Sequence, residues 1–333
     1  MLKHFALGLV LLWFSPQALG APSQLVERAT GRTSPPSGCL VVRKATTTSS
    51  EYSTIEAALT AVKTSGCIFI YSGTYQEHLS TKTSGLKIYG YTTNIADYRS
   101  NTVTITNKLG SYDAGSLDAS STFNVRSADF SLYNVNIENT YGTAGQAVAL
   151  TGNGMRQGYY GCSFKSFQDT LYAKSGYQYY SNCYIEGAVD YIFGDAAAWL
   201  GELTNFHKGT IASSRGGYIT ASSRTFDNDT AWYVIDHSTV TAAAGASVKG
   251  AVFLGRPWRP LARVIYQYST LTDVVNPSGY APMANGATPI FMEFQNTGAG
   301  ADTSKRQYFT ATKTAVSKAQ LWPDGAGWYD KTY

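Results

Sequence analysis

Residues 158–172, GYYGCSFKSFQDTLY, overlay on residues 179–193, YYSNCYIEGAVDYIF, at an offset of 21, so that Cys162 falls on Cys183, Phe164 on Ile185, Asp169 on Asp190 and Leu171 on Ile192. A copied phrase of this length, built from short aromatic and β-branched runs, points to a solenoid of stacked coils. Equivalent residues of successive coils would then lie about 4.8 Å apart, which sets the two aspartates side by side.

Working outward, FSLYNVNIEN (130–139), YVIDHSTVTA (233–242) and VIYQYSTLTD (264–273) repeat the pattern of an apolar run, a small polar residue and a further apolar residue. Short alternating segments at 68–71, 86–91, 102–106, 123–125, 130–137, 232–235 and 264–268 predict strands bounded by turns, and 25 tyrosines with 32 glycines suit them. A β-sandwich also has short, regularly spaced strands, but it gives no reason for a copied phrase. The predicted fold is therefore all-β, a solenoid. One helix is predicted over 54–64, where Ser53-Thr54-Ile55-Glu56 reads as a capping box and Ile55, Ala58, Leu59 and Val62 follow at helical spacing. It would cap the first coil.

The chain of 333 residues shows no composition shift after residue 40, which argues for one large domain over 39–333. Residues 1–20, with Lys3 and His4 before an apolar run and Ala18-Leu19-Gly20 after it, read as a secretory signal peptide. The apolar run breaks at Ser15-Pro16-Gln17, too soon for a membrane anchor. Residues 21–38 read as a linker or short propeptide. The predicted location is extracellular. Loss of Lys3 with the leader takes the formal charge from +4 to +3, and the basic residues are too scattered for a nucleic-acid groove. Cys162 and Cys183, in adjacent coils at a spacing of about 4.8 Å, predict one disulfide, and Cys39 and Cys67, each before an apolar run, predict another; the alternative is buried thiols. Asn228-Asp229-Thr230 is the one N-glycosylation sequon.

Two adjacent carboxylates cannot both ionise cheaply, so one pKa rises and the other falls. If Arg256, in Gly255-Arg256-Pro257-Trp258, folds back on Asp190, that residue stays ionised and Asp169 holds the proton. Gln168 could donate to an oxyanion. Taken singly, each has a bland reading: a turn aspartate, a structural ion pair, a core tryptophan, a polar ladder. Their joint occurrence points to a site. No GxSxG or HExxH occurs, and no acidic cluster suggests a calcium-dependent lyase. A retaining glycosidase would also suit a carboxylate pair, and a polysaccharide-binding module would suit the tyrosines.

Five phrases together resemble the pectinesterase family: Gly73-Thr74-Tyr75-Gln76-Glu77 (its GxYxE), Gln146-Ala147-Val148-Ala149-Leu150 (QAxAL), Gln168-Asp169-Thr170-Leu171 (QDTL), Asp190-Tyr191-Ile192-Phe193-Gly194 (DFIFG, with Tyr191 for phenylalanine) and Leu254-Gly255-Arg256-Pro257-Trp258 (LGRPW). The resemblance implies a right-handed single-stranded parallel β-helix and hydrolysis of the C6 methyl esters of pectin. It implies Asp190 as nucleophile, Asp169 as general acid and base, Gln146 and Gln168 as oxyanion donors, and Arg256 as the group that orients Asp190. Trp258, with Phe167 and Tyr191 beside it, would meet the sugar. The implied partner is methyl-esterified homogalacturonan, with no cofactor, metal, nucleic acid or membrane, and the expected state is a monomer.

Overall fold

A computed structural model of the chain describes residues 31–202 and 208–333. The expected leader, 1–20, and residues 21–30 of the expected linker lie outside the described residues. The described chain winds as a right-handed parallel β-helix, its strands gathered into parallel sheets of 11 and 13 strands. One coil runs through Gln157–Tyr160, Ser163–Lys165 and Leu171–Ser175, and the next through Tyr177–Ser181 and the long strand Tyr184–Gly194. Tyr159 pairs with Tyr180, Phe164 with Ile185 and Leu171 with Ile192, so the 21-residue offset is one full coil.

The interior forms by stacking like on like. Ile105, Ile137, Phe164, Ile185, Ile211, Val240 and Leu271 pair in one row and are all buried. Each such burial contributes about 1.5–3 kcal/mol. Between the first and second strand of successive coils the chain turns on one residue of positive φ: Asn134 (53°), Gly161 (58°), Asn182 (51°), His237 (42°) and Tyr268 (52°). Asparagine and glycine tolerate that conformation best. The expected strand 130–137 is accordingly two, Phe130–Tyr133 and Asn136–Asn139, broken at Asn134.

The helix runs Ile55–Ala61 and packs Ile55, Ala58 and Leu59 against the first strands. Its N-cap is Thr54, whose hydroxyl accepts from the Ala57 N–H at 3.2 Å. The expected Ser53–Glu56 box does not form. Glu77, from the Gly73–Glu77 phrase, instead accepts both the Ile55 and Glu56 N–H groups at 2.9 Å. A carboxylate at a helix N-terminus satisfies free donors and complements the dipole, so a distant residue has displaced the local one.

Of the two expected disulfides, Cys39–Cys67 is formed, whereas Cys162 and Cys183 are free and buried. Both pairs sit at equivalent places in adjacent parallel strands, so coil spacing does not by itself decide which pair bridges. Each thiol donates to main-chain carbonyls: Cys162 to Leu132 and Tyr160 at 3.5 Å, Cys183 to Tyr159 and Ser181 at 3.4 Å. Cys39 and Cys67 are half-buried at the first strands, whereas Cys162 and Cys183 are buried in the core.

The outer face of the 11-stranded sheet is aromatic and is covered by the C-terminal chain. Trp322 is fully buried there and its indole N–H donates to the Ala197 carbonyl at 3.0 Å. The Tyr333 hydroxyl donates to Asn134 at 2.5 Å and accepts from Arg32 at 3.1 Å. Arg32 also pairs its backbone with Thr92, at 2.8 and 3.1 Å, and lies 4.9 Å from the Tyr89 ring centroid. Arg32, inside the stretch expected as a linker, is thereby tied to the folded body. Among the described residues no helix is long and apolar enough to cross a membrane. With one sheet covered, the wing of the other sheet built on Leu150–Asn153, Leu171–Ser175 and the end of Tyr184–Gly194 presents the open surface.

Candidate active site

Asp169 and Asp190 stand at the same place in successive coils. Gln168 bridges Val189 in parallel, and the Asp169 N–H donates to the Val189 carbonyl at 3.1 Å. Both aspartates have left-handed backbone, φ 64° and 49°, a conformation that favours Asp over most L-residues and costs about 1–2 kcal/mol. At Asp190 it interrupts the alternation of the long strand, where the register with Thr210–Ser222 shifts between Val189 and Ile192. Tyr191 and Ile192 consequently both enter the core, and Asp190 faces the cleft.

Four side chains form two adjacent hydrogen-bonded pairs. Gln146, one coil before Asp169, donates its amide to Asp169 Oδ2 at 2.7 Å. Arg256 follows the strand Val252–Gly255 and reaches back across the coil of Ala221 to Asp190. Its Nε lies 2.8 Å from Oδ1 and its Nη2 2.7 Å from Oδ2, a bidentate pair. The guanidinium carbon sits 3.9 Å from the Tyr218 ring centroid.

This arrangement separates two identical carboxyl groups. Burial, and then the negative charge of Asp190, push Asp169 up to about 8, while the Gln146 amide and the Arg256 charge oppose the rise. Asp169 is therefore a neutral acid at physiological pH, next to a carboxylate clamped by a permanent cation. Leu117, Phe193, Ala221, Trp258 and Met283 complete the cleft around Gln146, Asp169 and Asp190. Phe193 stacks on Tyr172 at 4.3 Å and meets Trp258 at 5.9 Å, giving an apolar platform beside the carboxyls. Such a surface suits the flat face of a sugar.

Asp169, Asp190, Gln146, Arg256 and Trp258 are thus brought together. Gln168 is half-buried beside them; its carbonyl accepts from the Ala147 N–H at 3.1 Å and its side-chain amide makes no hydrogen bond within the described residues. Phe167 is half-buried and gives its carbonyl to the Ala188 N–H at 2.7 Å, off the cleft wall. Tyr191 is corrected: it is fully buried, with its hydroxyl 2.9 Å from Ser213 Oγ, and has no face toward a substrate. Leu117, Met283 and Tyr218 were not legible as site residues, since they come from segments with no distinctive phrase. Phe193 lay inside a quoted phrase, and only the broken alternation at Asp190 reveals that it faces out. Among the described residues no group of three or more His, Cys, Asp or Glu could hold a metal ion. Asn228 lies in an exposed turn.

A profile of the pectinesterase family matches residues 40–323. A protein named probable pectinesterase A from Aspergillus niger is 51% identical over 324 residues, covering 95% of each chain. The crystal structure of the pectin methylesterase from Aspergillus niger superposes with a TM-score of 0.85 at 52% identity, over 91% of this chain and 100% of that one. Pectin methylesterase from carrot superposes with a TM-score of 0.75 at 30% identity, over 84% of this chain and 90% of that one.

Proposed function

Since the chain belongs to the pectinesterase family and is a pectin methylesterase, we propose that it hydrolyses the C6 methyl esters of polygalacturonate with Asp190 as nucleophile and Asp169 as general acid and base. The observation that carries this reading is the adjacent pairs Gln146–Asp169 and Asp190–Arg256, in which one carboxyl keeps its proton and the other meets a bidentate guanidinium.

Asp190 attacks the ester carbonyl carbon, and the carbonyl oxygen takes up negative charge. Gln146 has a second amide hydrogen beyond the one on Asp169, and the Gln168 amide is uncommitted among the described residues, so both can donate to this oxyanion. As the intermediate collapses, Asp169 gives its proton to the departing methoxy oxygen and methanol leaves. The acyl-enzyme anhydride is then attacked by water, which Asp169, now ionised, deprotonates. Collapse of the second intermediate frees galacturonic acid, which gives its proton to solvent, and restores the Asp190 carboxylate, with the other water proton back on Asp169. Trp258 packs on the sugar ring, with Phe167 flanking the site.

Residues 1–20 direct secretion in this reading, the active form is a monomer without a cofactor, and Asn228, in its exposed turn, accepts the glycan. Its test is methanol release from highly methylated pectin, followed in one tube with reducing ends and unsaturated-uronide absorbance. Methanol alone is expected. New chain ends without methanol would identify a depolymerase instead. Asp190→Ala is expected to abolish methanol release while still retaining pectin, and turnover surviving that change removes Asp190 as nucleophile.

A further inference from the structure

Arg256 has to cross one coil to reach Asp190, and a long side chain of this kind loses rotamer freedom when it is fixed. What lies beneath it is Tyr218. In the sheet Tyr218 is in register with Val189, the residue before Asp190, on one side and with Phe253 on the other. Gly217 permits this closeness, because a Cβ there would stand 2.2 Å from the Ala188 carbonyl oxygen. The Tyr218 and Phe253 rings stack at 5.4 Å with 24° between planes, so the Tyr218 ring is itself supported. Its hydroxyl makes no hydrogen bond within the described residues, whereas its face lies 3.9 Å below the guanidinium carbon.

We propose that Tyr218 is a positioning residue for the esterase reaction: its ring fixes the plane of the Arg256 guanidinium, so that Nε and Nη2 both meet the Asp190 carboxylate. The proposal rests on the reading of Asp190 as nucleophile and Arg256 as its clamp. A cation over an aromatic face is held by the ring quadrupole, and two N–H groups aimed at a carboxylate require that plane to be fixed. The charged neighbours of this unit are Asp190 and Asp169, and Tyr218 is the titratable ring among them. Loosening the guanidinium leaves Asp190 less well paired, and a cation beside a carboxylate favours its charged form, so the acidic limb of the activity profile reads the clamp. The Trp258 surface is untouched, and substrate binding is unaffected.

The test compares kcat, KM and the acidic limb of the kcat/KM profile for Tyr218→Phe, Tyr218→Trp, Tyr218→Leu and Arg256→Ala. Tyr218→Leu is expected to lower kcat by about 2- to 30-fold, the equivalent of about 0.5–2 kcal/mol, with KM unchanged and the acidic limb moved to higher pH. Tyr218→Phe and Tyr218→Trp keep the ring and should restore both kcat and the limb. A purely structural role would lower the melting temperature and the active fraction without moving the limb. Tyr218→Met, ring-less but unbranched and adaptable, gives the same comparison should the leucine variant fail to fold. The proposal is overturned if these ring-less variants keep the wild-type profile, or change only KM, while Arg256→Ala loses activity. Wild-type kinetics in Arg256→Ala would instead overturn the reading of the clamp beneath it.

Discussion

Asp169 and Asp190 have the same side chain, the same backbone conformation and equivalent places in adjacent coils, yet only one is paired with a cation. That difference has a consequence for stability. Asp169 has a folded pKa of about 8, raised first by burial, against about 3.9 for an unfolded chain. The folded state therefore holds a proton that the unfolded state releases. The stability this contributes is fully present below about pH 4 and is lost as pH rises through about 8. Asp169→Asn mimics the protonated form at every pH. It should abolish methanol release and raise the melting temperature at pH 7 by about 2–6 °C, with the gap over wild type widening from pH 4 to pH 8. Melting curves across that range decide the matter, and a constant gap would falsify the assignment of the proton to Asp169. In the wild type, the proposed role of Asp169 predicts that esterase activity declines as pH rises through about 8, once it no longer carries a proton for the departing methoxy oxygen. The sequence made the paired aspartates legible because a repeat of 21 residues puts identical residues in contact. It could not place Tyr191, since whether residue 191 faces in or out depends on the left-handed kink at Asp190, a backbone state that an aspartate permits but does not announce.

At the scale of elements, local patterns were legible and their partners were not. The spacing of Ile55, Ala58 and Leu59 identifies the helix, but its N-terminal donors are met by Glu77, which lies 22 and 21 residues from Ile55 and Glu56. Nothing near Ser53 signals this, because the contact exists only once the strand Gly73–Gln76 is in place. Glu77→Ala should cost about 1–2 kcal/mol, roughly 2–4 °C in melting temperature, with kcat unchanged because the helix lies away from the cleft. A loss of activity at unchanged stability would assign Glu77 to the reaction. The cysteines teach a similar lesson. Coil spacing alone satisfied the Cα range of a bridge for Cys162 and Cys183, yet both are buried in the core with their thiols on main-chain carbonyls. Alkylation of the denatured, unreduced protein should therefore label two thiols; none labelled would restore the second disulfide.

For the whole molecule, a solenoid solves its interior by repetition but leaves its outer faces to be covered by chain that does not repeat. The repeat made the β-helix readable from sequence. The return of residues 314–333 over the 11-stranded sheet was not readable, since Trp322, Trp328, Tyr329 and Tyr333 fit no coil. They pack on Tyr133, Tyr160, Tyr177, Tyr179 and Trp199, and Arg32 ties the opposite end of the described chain to the same face. Trp322 is the centre of this cover: it is fully buried, meets Trp328 at 5.0 Å and Trp199 at 6.5 Å, and donates to the Ala197 carbonyl. Trp322→Ala removes the largest ring and leaves that carbonyl without its donor, which should cost about 3–5 kcal/mol and lower the melting temperature by roughly 6–15 °C. The aromatic sheet face would then open to solvent, detectable as increased binding of a hydrophobic dye at 25 °C. Asp169, Asp190 and Arg256 stand on the other sheet, so the folded fraction should keep its kcat and pH profile. A fall in kcat with no loss of stability would mean that the C-terminal chain acts on the cleft through the coils, and that the covered and catalytic faces are coupled.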